Sequence, residues 1–150
     1  MPIVSLRYFT VFGPRQRPDM AFTRFIQAAK EDREIEVFGD GLQSRDFTYV
    51  EDAVGATIAA AENGRPGEAY NIAGGAQATV LEVVEILGEL LDRDVPVRHF
   101  PPVPGDARHT GADIEKARRD LSYTPRTGLK QGLSKQIATQ TSLRPGRVPR

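Results

Sequence analysis

The chain reads as an α/β fold with parallel strands, and three observations point there. Ile3 to Phe9 (IVSLRYF) is a short, nearly continuous apolar run, the pattern of a strand buried on both faces of a parallel sheet. Short strand-like runs at 47–50, 68–72 and 95–100 alternate with helix-period segments at 20–30, 53–63 and 79–91. Glycine and proline mark the junctions, at Gly13-Pro14, Gly39-Asp40-Gly41, Arg65-Pro66-Gly67 and Gly74-Gly75. A central parallel strand beginning at residue 3 leads one to expect sheet partners earlier in the polypeptide.

Each element has a local justification. Asp19 can cap a helix over Met20–Lys30, whose Phe22, Phe25, Ile26 and Ala29 recur at helical spacing and form its buried face. Phe47 to Val50 is aromatic and β-branched, as strands tend to be, and Glu51 and Asp52 suit the N-terminus of a helix over 53–63. That helix should turn Val54, Ile58 and Ala61 inward and stop at Asn63-Gly64. Thr79 and Glu82 have capping-box spacing and open a long helix with Val80, Val83, Val84, Leu87, Leu90 and Leu91 on its apolar side. Pro96 places the strand Val95–Phe100 at a sheet edge. Asp113 caps a short helix, Ile114–Leu121, and Thr127 begins a last one with Leu129, Leu133 and Ile137 at four-residue steps. Thr141 to Arg150 is polar, carries Arg144, Arg147 and Arg150 without an acid, and reads as a disordered tail.

Bulk properties narrow the function. A length of 150 residues suits one domain with a real core. Twenty basic and 20 acidic residues give a net charge of +0, which argues against nucleic acid or an anionic membrane as an obligatory partner. The absence of cysteine excludes disulfides and thiolate metal sites. No apolar run approaches the roughly 18 residues of a membrane span. No signal-peptide pattern stands ahead of the first strand, so a cytoplasmic protein is expected. His99 and His109 lack metal-site spacing and read as surface or packing residues.

Three stretches carry candidate chemistry. In Val37 to Val54, Arg45 sits between a glycine turn and a strand end, where its guanidinium donors can grip phosphate oxygens in pairs. A surface turn with a structural Arg45–Asp46 ion pair is the plainer alternative. In Thr10 to Asp19, Arg15 and Arg17 lie beyond the carboxyl end of a strand, where open α/β sheets bind ligands. They could hold a carboxylate or a phosphate, or simply be a solvated basic loop. In Pro101 to Asp113, a proline-rich loop presents Asp106, Arg108, His109 and Thr110 before a helix. Asp106 is equally suited to capping its own turn.

These stretches also carry a resemblance. Val37-Phe38-Gly39-Asp40-Gly41, Gln43, Arg45-Asp46-Phe47 and Tyr49-Val50-x-Asp52-x-Val54 resemble the signature of the NAD-dependent nucleotide-sugar epimerase/dehydratase family, the extended short-chain dehydrogenases. LRYFTVFGPRQRPDM resembles its UDP-glucuronate 4-epimerase branch, in which Thr10 stands where many UDP-galactose 4-epimerases have asparagine. The resemblance implies that Arg45 contacts the diphosphate of a UDP-sugar, that Thr10 and Arg17 meet the sugar carboxylate, and that Asp106 holds the ribose hydroxyls. Several relatives carry an arginine three places before that aspartate; here the place is Val103, so that cation is either missing or supplied by Arg108. Ser122 stands where the family's closing element usually has glycine.

The family's chemistry uses NAD, held by a glycine-rich fingerprint, and a tyrosine base with lysine four residues later. Neither GxxGxxG nor GxGxxG is present, and none of Tyr8, Tyr49, Tyr70 and Tyr123 is followed by lysine at that spacing. The resemblance therefore implies the C-terminal, substrate-binding part of a Rossmann-type fold over residues 1–140, followed by the tail. It implies a chain that binds a UDP-sugar, expects no cofactor by itself, and is inactive without an N-terminal NAD-binding half. A non-catalytic nucleotide-sugar-binding module, and a non-functional fragment of a dehydratase or decarboxylase relative, are the alternatives.

Overall fold

The computed structural model describes residues 2–142, in which short strands alternate with five helices. The strands are β1 (Ser5–Tyr8), β2 (Val11–Phe12), β3 (Ile35–Phe38), β4 (Ser44–Asp46), β5 (Thr48–Tyr49), β6 (Ala69–Ile72), β7 (Gln77–Thr79), β8 (Val97–Phe100) and β9 (His109–Thr110). The helices are α1 (Ala21–Lys30), α2 (Val50–Asn63), α3 (Val80–Leu91), α4 (Glu115–Leu121) and α5 (Leu129–Ser142). Three pairs are parallel: β1 with β6, β2 with β5, and β3 with β8. A three-stranded sheet has β4 at its centre, antiparallel to β7 and parallel to β9. The expected tail lies, from residue 143 on, outside the described residues.

Two cores hold these layers. One joins Phe12, Phe22, Ile26, Ile35, Val37 and Tyr49 to Val83, Leu87 and Leu133. Here the predicted apolar stripes of α1 and α3 meet, and Phe12, Phe22 and Phe47 stack edge-on or tilted at 4.7–6.3 Å between centroids. The second core packs Ala56 and Ala60 of α2 against Tyr70, Ile72, Ala117, Leu121 and Tyr123. The Thr79–Glu82 capping box forms as expected, each residue satisfying a backbone N–H of the other. Pro96 precedes β8, which has β3 as its partner.

Three expectations fail. On α2, Val54 and Ile58 face outward at 53% and 55% exposure, and Ala61 is exposed too; Ala53, Ala56 and Ala60 face the core. Ala56 and Ala60 share the second core with the bulky Tyr70 and Tyr123 rings, so the methyl-sized face of this helix is the buried one. The run expected to be a strand buried on both faces is exposed along most of β1, with Ile3 55% and Tyr8 45% exposed. Among the described residues β1 has β6 as its one strand partner, so one edge is open. Asp19 does not cap α1: Met20 is the N-cap, and the Asp19 carboxylate is taken by Arg17.

Candidate functional site

The site is built around β4. Gly39 and Gly41 take φ of +74° and +76°, the left-handed region glycine permits, and Asp40 between them accepts the Leu42 N–H. A side chain at Gly41 would also strike Leu81, so the turn is closed down onto α3. It delivers the chain into β4, where the Ser44 N–H donates to the Arg108 carbonyl. The Ser44 hydroxyl donates to Gln77 Oε1 and lies 2.9 Å from His109 Nδ1. The 101–108 loop is thereby stitched to the strand that carries Arg45.

Two of the predicted residues come together as a result. Arg45, half-buried, donates from Nη1 to the Ser44 carbonyl at 2.7 Å and from Nη2 to Asp106 Oδ1 at 2.5 Å. Asp106 sits in a tight turn after Gly105, with its own N–H bonded to the Val103 carbonyl. Arg108 reaches back to the glycine turn and grips both oxygens of Asp40 at 2.7 and 2.8 Å. That bidentate contact, with the Leu42 N–H, holds the Asp40 carboxyl down at about 2 and raises the Arg108 guanidinium.

Arg45 and Asp46 form no ion pair. Strand alternation sends Asp46 to the opposite face, where it is 3% exposed and its Oδ1 accepts from Gly74 N at 2.8 Å and Gly75 N at 3.2 Å. Burial pushes the Asp46 carboxyl up, while these amides and that of Ala112 pull it down. Asp46 thus ties the strand beside the first core to the β6 end of the second. Its role was hidden in the sequence because its partners are backbone groups 28 and 29 positions away.

The arginine loop lies at the ends of β1 and β2. Thr10 immediately precedes β2, and its carbonyl accepts the Thr48 N–H. Arg15 has a φ of +64°, unusual for a side-chain-bearing residue. Arg17 is 74% exposed and binds Asp19 through Nε at 3.1 Å and Nη2 at 2.7 Å. Neither Thr10 nor Arg17 bonds to Arg45 or Asp106 in the described residues, so the predicted residues form two groups rather than one.

An aromatic pair flanks the β4 group. Phe38, 41% exposed, immediately precedes the glycine turn, and Phe100 lies 5.7 Å away between ring centroids. Arg98 stands over Phe100 at 5.1 Å. The signal for Phe38 was present: Ile35 and Val37 alternate inward on β3, which turns Phe38 out.

Residues 1–73 match the NAD dependent epimerase/dehydratase family. The uncharacterized UDP-glucose epimerase YtcB of Bacillus subtilis is 45% identical over 147 residues, which cover 97% of this chain and 46% of that protein. The UDP-glucuronate 4-epimerase of Thermodesulfobacterium geofontis is 36% identical over 91% of this chain and 42% of its own. A crystal structure of UDP-glucuronic acid 4-epimerase from Bacillus cereus, in complex with UDP-glucuronic acid and NAD, superposes with a TM-score of 0.92 at 43% identity. It is matched over 96% of this chain and 46% of its own. The chain belongs to the NAD-dependent epimerase/dehydratase family. It spans about half the length of the curated relatives it matches.

The Bacillus cereus structure holds NAD as well as the nucleotide sugar. The Gly74-Gly75 pair follows a parallel strand, as a pyrophosphate-binding turn would. Its two amides are spent on Asp46, and the chain continues into β7 rather than a helix. This turn does not fit a pyrophosphate. Among the described residues no helix is long and apolar enough to cross a membrane, and no cluster of metal-ligating side chains occurs.

Proposed function

We propose that this chain is the nucleotide-sugar-binding half of an NAD-dependent 4-epimerase, with UDP-glucuronate as its preferred ligand. The observation that carries the reading is the meeting of Arg45 and Asp106, 61 positions apart in sequence. Arg45 takes the diphosphate and Asp106 the ribose hydroxyls. These are adjacent groups of one ligand, so their binding residues should be neighbours, and they are. Arg108, braced by Asp40, is the second cation at this rim, in the absence of an arginine at Val103. The exposed Phe38 ring offers a flat apolar face to the base.

Thr10 and Arg17 take the sugar carboxylate. A ligand carboxylate would replace Asp19 as the partner of Arg17, exchanging one exposed ion pair for an ion pair with the ligand. NAD, when bound, supplies the oxidation and re-reduction at the sugar's fourth carbon. In this reading it is held, with the proton-transferring tyrosine, by residues outside these 150. The open edge of β1 and the outward Ile3, Tyr8, Val54 and Ile58 support a neighbouring dinucleotide-binding half that extends the sheet. The chain's own part is to bind and orient the nucleotide sugar.

The experiment is a binding and turnover measurement on the same preparation. Arg45→Ala should weaken UDP-glucose and UDP-glucuronate alike, by roughly 10- to 100-fold, since it removes a charge-assisted contact to a diphosphate both share. The chain with added NAD should not epimerise UDP-glucuronate. Turnover by the chain alone would overturn the division of labour, and an Arg45→Ala chain that binds normally would overturn the site.

A further inference from the structure

We infer that Gln136, on the last helix, is a positioning residue for uronate selectivity: it sets the loop that carries Arg17. This rests on the reading that Arg17 meets the sugar carboxylate. Gln136 is fully buried, and both ends of its amide are bonded to that loop. Its Oε1 accepts from Gly13 N at 3.1 Å, and its Nε2 donates to Gln16 Oε1 at 3.1 Å. Gln16 Nε2 in turn donates to the Val11 carbonyl at 3.2 Å. The order of donors is fixed at both ends, because a backbone N–H can only donate and a carbonyl can only accept. Thr23 on α1 adds a hydroxyl directed to Gln16 Oε1 at 3.3 Å.

The relay does what loop-local bonds do not. Inside the loop, the Gln16 N–H bonds the Gly13 carbonyl and the Met20 N–H bonds the Arg17 carbonyl. Arg15, inside the first of these turns, stays at φ +64°, a conformation unfavourable for a side-chain-bearing residue that persists when its surroundings impose it. Gly13, at φ +139°, has no space for a side chain against Val50. Gln136 anchors that glycine and Gln16 across more than 100 positions of sequence. A loop held this way is ordered before the ligand arrives, so binding a carboxylate through Arg17 does not include the cost of ordering it. A neutral sugar that does not engage Arg17 gains nothing from the relay.

The test is calorimetric titration of the wild-type chain, Gln136→Met and Thr23→Val with UDP-glucuronate and UDP-glucose, with amide hydrogen exchange on the same samples. Methionine conserves volume and removes both bonds; Thr23→Val removes the hydroxyl that reaches the Gln16 carbonyl and Oε1, at a half-buried position, and guards against loss of folding. Gln136→Met should lower UDP-glucuronate affinity about tenfold while UDP-glucose changes less than about twofold, with faster exchange from Gly13 to Met20. Thr23→Val should shift the same ratio in the same direction by about threefold. Equal losses for both ligands, or an unchanged ratio with an unchanged loop, overturn the positioning role. A wild-type chain that binds neither ligand, or both alike, defeats the Arg17 reading itself. In that case faster loop exchange in Gln136→Met would show that the relay holds the loop but does not serve uronate selectivity.

Discussion

Replacing Asp46 with alanine should be among the most damaging single changes outside the hydrophobic cores. Asp46 is 3% exposed, and its carboxylate accepts the N–H groups of Gly74 and Gly75. Alanine would leave two backbone donors without that acceptor. At a net value of about 1 kcal/mol per bond, the loss is about 2 kcal/mol. The net figure is the right one, because burial of the charge already opposes the carboxylate. For a chain of this size that corresponds to a fall in Tm of roughly 4–8 °C. Asp46→Asn keeps an acceptor oxygen for the two glycines and should lose only about a third as much. Urea unfolding followed by circular dichroism measures both. An Asp46→Ala chain within about 1 kcal/mol of wild type would refute the view that this carboxylate ties the two cores together.

Three further outcomes follow from local geometry. The Asp40 carboxyl should titrate near 2 by NMR. Its folded value lies below the ordinary 3.8, so its contribution to stability is present above that value and is lost as pH falls through about 2; Arg108→Ala should move the midpoint back up. Ser122 holds a left-handed φ of +54° at the end of α4, so Ser122→Gly should stabilise the chain by about 1 kcal/mol, raising Tm a few degrees in a thermal scan. Gly132 lies inside α5, where alanine would ordinarily help a helix. An added Cβ would come within 2.6 Å of the Phe12 ring and 2.8 Å of Tyr49, so Gly132→Ala should instead destabilise by roughly 1–3 kcal/mol in urea.

What could be read in the sequence was what depends on neighbours in the chain. The α3 helix announced itself through Thr79, Glu82 and its apolar stripe, and α1 through Phe22 and Ile26. The Gly39–Gly41 turn was legible because both positions require a positive φ. Ser122 was marked by standing at a glycine position, and its left-handed backbone supplies the reason. The face of α2 was misread because valine and isoleucine are stronger apolar signals than alanine. Which side is buried was decided by Tyr70 and Tyr123, which no local pattern connects to α2. The same limit applies to the site. Arg45, Asp106 and Arg108 could each be nominated singly, but the contacts Arg45–Asp106 and Arg108–Asp40 depend on β9 pairing with β4. The relay through Gln136 and the clamp by Asp46 escaped notice because their partners are backbone groups or distant amides.

Calorimetric titration of the folded wild-type chain and Arg17→Ala with UDP-glucuronate and UDP-glucose tests whether this is a substrate half tuned to a uronate. The wild type should bind UDP-glucuronate more tightly, and Arg17→Ala should abolish the difference while leaving UDP-glucose binding in place. A folded wild-type chain that binds the two nucleotide sugars equally, or an Arg17→Ala chain that keeps the preference, would contradict it.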